Sequence, residues 1–210
     1  MATVTAIQRH ARSRLLAALL KPGNVLPAFV WMFLVFNQAF NSAFPPSPST
    51  AGLVVINTVA MVLFVARRDP AKVGGKVDGA IALAGTFIVS FLRDAGQLRD
   101  AHLVPTTVQV VALIGWALSL VALGRSFGVV AADRGLVKTG PYAVVRHPVY
   151  AFEALFFLGY LIAVPTLRSL LVILLWAILQ TVRILREEGI IEGYEEYRRR
   201  VRWRILPFVW

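Results

Sequence analysis

Long apolar segments, separated by short polar connections, make up most of the chain. They are residues 25–44, 52–66, 79–92, 105–124, 149–163 and 167–185. The first and fourth have about twenty residues without a charge, enough for a helix to cross the hydrocarbon core. Residues 149–163 are too short to span it fully, so we predict that they and residues 167–185 form a helical hairpin around Val164-Pro165-Thr166. The pattern predicts an all-α integral membrane protein with about five to six transmembrane helices, including the short hairpin, and a C-terminal amphipathic cytoplasmic helix.

The composition supports a membrane location. Hydrophobic residues make up 58% of the 210 residues, charged residues only 16%, and the mean hydropathy is +0.69. A soluble domain of this length carries more polar positions, so we predict one integral membrane domain. The chain has no cysteine, and His10, His102 and His147 lie far apart. No metal site is expected, because these histidines lack the spacing of metal ligands.

The basic residues predict an orientation. The net charge is +11, and with the N-terminus in the cytoplasm all but three of the 22 basic residues fall on cytoplasmic segments. The exceptions are Arg93, Arg99 and Arg168. This positive-inside distribution accounts for the basic balance without a nucleic-acid partner. We expect a multi-pass protein with both termini in the cytoplasm, in the plasma (inner) membrane of a prokaryote, with membrane lipids as partners and no predicted oligomeric state.

Three regions follow from these patterns. Residues 1–22 form a basic N-terminal segment, expected to lie at the membrane interface as an amphipathic helix. Residues 23–123 hold transmembrane helices one to four. Residues 124–210 combine a polar stretch, the predicted hairpin and the tail, and we expect the chemistry there.

The most unusual polar stretch is residues 136–150, LVKTGPYAVVRHPVY. Gly140-Pro141 indicates a turn, and Pro148 suits the first position of a helix, where its missing N–H costs no hydrogen bond. A helix that begins there would direct free N–H groups toward Arg146 and His147, which predicts a site for a carboxylate or phosphate. A basic cytoplasmic loop without a ligand is the alternative interpretation.

Gly140-Pro141-Tyr142, followed by Arg146-His147-Pro148 and Tyr150, resembles the signature of the integral membrane isoprenylcysteine carboxyl methyltransferase family. The resemblance extends to LGRSF at residues 123–127, the paired Glu187-Glu188, and the tail residues Tyr194, Tyr197, Val201 and Leu206-Pro207. It covers residues 120–207, a little under half of the chain. Phe152 departs from the pattern, because the family usually carries a glycine two residues after the tyrosine.

The resemblance implies methyl transfer from S-adenosylmethionine to a lipophilic, amphipathic or lipidated acceptor at the cytoplasmic membrane face. The methylated group would be a carboxylate, a thiol or an amine. On the family pattern the donor is held by Tyr142, Arg146, His147, Pro148, Tyr150, Glu187 and Glu188. Displacement at the sulfonium methyl mainly requires alignment and the exclusion of water. A carboxylate or thiolate acceptor needs no general base, so none is assigned, and His147 would serve as one only if the acceptor must be deprotonated.

Three further residues are candidates for a catalytic role. Arg183 and Arg186 end the last apolar segment, where they would either snorkel to the interface or bind an anionic acceptor. Glu153 lies in an apolar run, so we expect it to pair with an arginine or to contact the acceptor. Glu187 and Glu188 are adjacent and should point in different directions, which argues against a paired acid and base.

The tail predicts an amphipathic helix over residues 187–201. Its apolar positions recur at helical spacing: Ile190, Ile191, Tyr194, Tyr197 and Val201. Such a helix would lie on anionic lipid. We also expect it to fold over residues 136–150 and close a pocket, with the two tyrosines as packing residues.

Two other function classes fit parts of the sequence. Membrane-bound sterol reductases, which use NADPH, have a similar tail, resembling residues 204–207, but they are much longer. A non-enzymatic small membrane protein or transporter is the third class, although a transporter should show paired broken helices or charges at mid-membrane. A Rossmann methyltransferase is not expected, because the chain lacks a glycine-rich turn after a strand.

Overall fold

The computed structural model describes residues 28–33, 35–36, 40, 47–92 and 103–210. The described part of the chain is mostly helical, as expected. Residues 28–33, 35–36 and 40 are helical and belong to the first predicted span. The predicted interfacial segment 1–22 lies outside the described residues, as does the connection 93–102.

Three of the helices are long and apolar enough to cross a membrane. In chain order, the helices between residues 47 and 210 are α1 (Pro48–Ala66), α2 (Lys76–Phe87), α3 (Leu103–Leu123), α4 (Pro148–Ala163), α5 (Leu167–Ile190) and α6 (Tyr194–Arg200). Those of membrane length are α1, α3 and α5, about 28, 32 and 36 Å long at 1.5 Å per residue. The hydroxyl of Ser47 caps α1 by accepting from the Thr50 N–H, and that of Thr166 caps α5 by accepting from the Ser169 N–H.

The outer faces of α3 and α5 are apolar. On α3 the exposed positions include Val111, Ile114, Leu118 and Val121, and on α5 they include Leu171, Leu174, Leu175 and Ile178. The members of each set share one face at helical spacing and form a stripe along the helix. Stripes of this size are unfavourable in water but suited to lipid, which supports a membrane location.

The third predicted span, residues 79–92, differs from the structure. Helix α2 begins earlier, because the Asp78 carboxylate accepts a hydrogen bond from the Gly75 N–H at 2.7 Å and caps the helix. The α-helical part ends at Phe87 and continues as a 3₁₀ helix over Ile88–Phe91. At about 18 Å, α2 alone is shorter than the hydrocarbon core. The count of five to six spans therefore stays a prediction.

Helix α4 packs mainly on α3 and only slightly on α5, its neighbour in sequence. Glycines make the close approach possible. A Cβ atom at Gly115 of α3 would lie 2.2 Å from the Phe152 ring, and one at Gly159 of α4 would lie 2.8 Å from the Gln109 side chain. The predicted hairpin of α4 and α5 is thus two consecutive helices whose principal partners differ.

A short antiparallel ribbon departs from the all-α expectation. Strand β1 (Lys72–Val73) pairs with β2 (Ala132–Asp133), with Lys72 opposite Asp133. The pairing holds the connection between α1 and α2 against the connection between α3 and α4. It also fixes the position of Arg134, which follows β2.

The tail is divided into two helices, unlike the single helix predicted over residues 187–201. Helix α5 continues through Glu187 and Glu188 to Ile190, and α6 starts at Tyr194. Gly193 between them has φ +71°, a left-handed conformation that interrupts a helix and favours glycine. The break lets α6 turn back over residues 136–150.

Candidate functional site

The polar stretch of residues 136–150 folds around two short helical features. Residues Gly140–Ala143 form a 3₁₀ turn, in which Gly140 has φ +61°. Helix α4 then begins at Pro148, which is buried, and this confirms the helix start predicted from the sequence. The Ala151 N–H donates to the His147 carbonyl at 3.1 Å, while the N–H groups of Val149 and Tyr150 come too early in the helix for an intrahelical acceptor.

The C-terminal segment pairs with this stretch through its backbone. The Arg146 N–H donates to the Trp203 carbonyl at 2.8 Å, and the His147 N–H donates to the Arg204 carbonyl at the same distance. Side chains add to this attachment, since the Tyr197 hydroxyl donates to the Tyr142 carbonyl at 2.6 Å. The tail therefore folds over residues 136–150, as the sequence predicts.

Burial of the two tyrosines strengthens this contact. Burial raises the pKa of Tyr197 to about 12, although the charge of Arg146 opposes the increase. Burial, with a contribution from the charge of Glu187, raises the pKa of Tyr142 well above its usual range. Both phenols stay protonated at any physiological pH, so Tyr197 remains a hydrogen-bond donor.

Glu188 contacts several polar side chains where residues 136–150 meet the C-terminal tail. Its carboxylate accepts hydrogen bonds from Arg204 Nε and Nη2, both at 3.1 Å, and from the Tyr194 hydroxyl at 3.1 Å. His147 Nε2 lies 3.3 Å away and Arg146 Nη1 lies 3.0 Å away. The Glu188 side chain is only 9% exposed, so this carboxylate acts chiefly to hold the other four residues together.

Glu187 points in a different direction from its neighbour, as helical geometry requires. Its carboxylate accepts from the Tyr150 hydroxyl at 2.7 Å and from Arg183 Nε at 2.9 Å. The Arg183 guanidinium also lies over the Tyr150 ring, 5.2 Å from its centroid. Glu187, Tyr150 and Arg183 line a cavity, whereas Glu188 does not.

This cavity has a volume of about 560 Å³, and its lining residues fall into two chemically different groups, here called the polar wall and the apolar wall. Its polar wall contains Arg134, Tyr142, Arg146, His147, Tyr150, Arg183 and Glu187. Its apolar wall contains Trp31, Leu53, Ile56, Trp116, Leu120 and Phe157. The volume is in the range that holds a cofactor-sized ligand.

The structure separates the three catalytic candidates. Arg183 and Glu153 line the cavity. Glu153 accepts a hydrogen bond from the Gln180 amide at 3.4 Å, while the ion pair of Arg183 is made with Glu187 instead. Arg186 lies outside the cavity, about half exposed, in an ion pair with Asp78 at 2.8 Å.

Phe152 does not narrow the cavity. Its ring lies over Gly115 of α3 and is not part of the cavity wall. The bulky residue in place of the usual glycine is thus accommodated by a glycine on the neighbouring helix.

Two arginines of the site were not among the residues predicted from the sequence. Arg134 lines the cavity, and Arg204 binds Glu188. The positive-inside rule counts both as basic residues of cytoplasmic segments and gives no information on the role of either one. The apolar run before Arg134 and the family-like tail around Arg204 were the only local indications.

Comparisons with known proteins bear on the segment that contains most of this site. No curated protein matches the chain at a significant level. Residues 103–195 match the family model described as phospholipid methyltransferase, which covers the segment from α3 to the start of α6. Over this segment, a little under half of the chain, the protein is similar to the phospholipid methyltransferases, which supports its resemblance to the isoprenylcysteine carboxyl methyltransferase-like integral membrane methyltransferases.

Proposed function

We propose that the protein transfers a methyl group from S-adenosylmethionine to a lipophilic acceptor at the cytoplasmic face of the membrane. The observation that carries the proposal is the cavity, because one wall is polar and formed by the family signature while the other is apolar. A water-soluble donor and an acceptor with an apolar tail need such a combination. Bound at the polar wall, S-adenosylmethionine supplies an electrophilic methyl group on a sulfonium.

The donor set of the polar wall fits this cofactor. The Nε atom of Arg146 is buried without a hydrogen-bond partner among the described residues, and Nη1 faces Glu188 only as an ion pair, off the direction of a hydrogen bond. A buried donor without an acceptor is costly, so an anion beside it is favourable. Arg146 and the first-turn N–H groups after Pro148 would together hold the methionine carboxylate.

Other residues would orient the remaining parts of the donor. Glu187 lines the cavity and has a second oxygen for a ribose hydroxyl or an α-amino group. Tyr142, His147 and Tyr150 close the same wall. Glu188 contributes from behind it, because it fixes the positions of Arg146 and His147.

The acceptor would enter along the apolar wall. Trp116, Leu120 and Phe157 would surround its tail, and each CH₂ group buried there would add about 0.8 kcal/mol to binding. Glu153 of α4 and Arg183 of α5, which also line the cavity, would contact its head group. Alignment of the two reactants and exclusion of water would supply most of the rate enhancement.

A binding titration with the purified protein tests the proposal. S-adenosylmethionine should bind, and NADPH should not, which separates methyl transfer from the reductase alternative. Arg146→Gln should weaken donor binding by about 1–3 kcal/mol, the cost of losing a charged hydrogen-bond donor. Arg186→Gln is the matched control, because it makes the same change on the same end of the molecule outside the cavity.

Transfer of labelled methyl from S-adenosylmethionine into a lipid extract would then identify the acceptor class. Absence of donor binding to the wild-type protein, or equal losses in both variants, would refute the assignment of the polar wall.

A further inference from the structure

Arg134 is a buried cation whose bonding is incomplete. It is 9% exposed and lines the cavity. Its Nε atom is buried without a hydrogen-bond partner among the described residues, and its Nη1 reaches the Val130 carbonyl only at 3.5 Å. A guanidinium offers five donors in a planar fork. Most of this capacity is unused by the described part of the chain.

The other two arginines of the cavity wall each lie beside a carboxylate, which distinguishes them from Arg134. Arg183 pairs with Glu187 and Arg146 faces Glu188. Among the ion pairs between described residues, none involves Arg134. A buried charge without a partner is one of the most expensive groups in a protein, so it favours a ligand of opposite charge.

The fold holds this side chain in place from two sides. The ribbon of β1 and β2 fixes the backbone before Arg134, and the Ser126 hydroxyl donates to the Arg134 carbonyl at 3.1 Å. Gly128 leaves space for the guanidinium, because a Cβ atom there would lie 2.5 Å from Nη1. The arginine is therefore accommodated by its surroundings rather than free to turn into solvent.

The local charges make the position electropositive. Burial, together with the nearby charge of Arg67, lowers the pKa of Arg134 to about 10, while Glu187 opposes the decrease. The side chain is still charged at neutral pH. An oxyanion bound beside it would reduce both the desolvation cost and the repulsion between the two arginines.

We propose that Arg134 binds an oxyanion, a phosphate or carboxylate, on the head group of the acceptor. This inference rests on the proposed methyl transfer and deepens it, because it makes the acceptor an anionic amphiphile rather than a neutral lipid. The planar fork of a guanidinium matches two oxygens of either anion. The tail of the same molecule would lie on the apolar wall, and the donor carboxylate would stay with Arg146.

The test uses dodecyl phosphate and dodecanol as probes, which share a tail and differ in the oxyanion. Binding to the purified protein in a neutral maltoside detergent is followed by tryptophan fluorescence, since Trp31 and Trp116 line the cavity. Wild-type protein should bind dodecyl phosphate more tightly than dodecanol. Arg134→Gln should weaken the binding of dodecyl phosphate roughly tenfold to a hundredfold, as expected for the loss of a charged hydrogen bond. The affinity for dodecanol should stay unchanged.

Two controls separate this result from other causes. Arg125→Gln removes an exposed charge at the same end of α3, outside the cavity, and should leave the preference intact. Equal losses in the two variants would overturn the proposal, because the attraction would then be general. Affinity for S-adenosylmethionine should change less than twofold in Arg134→Gln. A loss of donor affinity with unchanged dodecyl phosphate binding would assign the oxyanion to the donor and overturn the proposal.

If Arg134→Gln does not fold, a second variant still tests the proposal. Arg134→Lys keeps the charge but loses the planar fork, so it should show an intermediate preference for dodecyl phosphate. A wild-type preference in a folded Arg134→Lys protein contradicts the inference. Failure of the wild-type protein to bind S-adenosylmethionine would instead contradict the proposed function.

Discussion

The contact between Gly115 and Phe152 offers a sharp test of how α3 and α4 pack. In Gly115→Ala the new methyl group would lie 2.2 Å from one atom of the Phe152 ring and 2.4 Å from two others. Carbon atoms pack best at about 3.5–4.0 Å, so the ring or a helix must move by about 1 Å. We expect the overpacking to cost about 1–3 kcal/mol of unfolding free energy.

A second effect has the opposite sign. Alanine is a better helix former than glycine by about 1 kcal/mol, and this gain applies to Gly115→Ala in any background. In wild-type protein the clash outweighs it. In a Phe152→Ala background the ring is gone, so the same Gly115→Ala change should be neutral or stabilising by up to about 1 kcal/mol.

The four proteins form a double-mutant cycle, measured by reversible unfolding in mixed micelles. The coupling between the two positions should be about 1–3 kcal/mol, with the alanine at 115 tolerated only when Phe152 is absent. Binding of S-adenosylmethionine should be little affected, because Phe152 is not part of the cavity wall. If Gly115→Ala has the same effect in both backgrounds, the close packing of α3 on α4 is refuted.

Two further predictions concern the tail and the topology. Tyr197→Phe removes the hydrogen bond to a buried carbonyl and should destabilise the protein by about 1–3 kcal/mol in the same unfolding assay. Arg198→Gln is the control, because it breaks only an exposed ion pair and should change stability by less than about 1 kcal/mol. Equal effects of the two substitutions would contradict a docked tail. Cysteine introduced at the exposed Thr166 should react with an impermeant thiol reagent from outside the cell, and cysteine at Thr139 should not. Labelling of the Thr139 position in intact cells would place residues 136–150 on the outer side of the membrane and contradict the predicted topology.

Local chemistry explains which parts of the fold could be predicted. Pro148 begins α4 because a proline at the first helical position loses no hydrogen bond, a rule that needs no neighbours. Glu187 and Glu188 diverge because adjacent helical residues always do. In each case the relevant information lies within a few residues of the position concerned.

Contacts between distant segments explain what the sequence did not reveal. Arg134 is confined by a two-residue ribbon with β1, about sixty residues away in sequence, and no periodicity marks strands this short. Phe152 is accommodated by Gly115, a pairing that depends on how two helices cross. The early start of α2 depends on the Asp78 cap, which an apolar window does not detect.

The pairing of residues 146 and 147 with residues 203 and 204 has a consequence for biosynthesis. The three helices of membrane length, α1, α3 and α5, can enter the bilayer in the order in which they are made, since each is apolar along most of its length. The polar wall cannot be completed at that stage, because Arg204 supplies both a backbone carbonyl to His147 and a guanidinium to Glu188. Until the ribosome has released that segment, Glu188 lacks one of its partners and the loop lacks its backbone acceptors. The nascent protein would thus be inserted before its polar wall is complete, and a ribosome stalled before residue 203 would leave a membrane-embedded chain without a finished site.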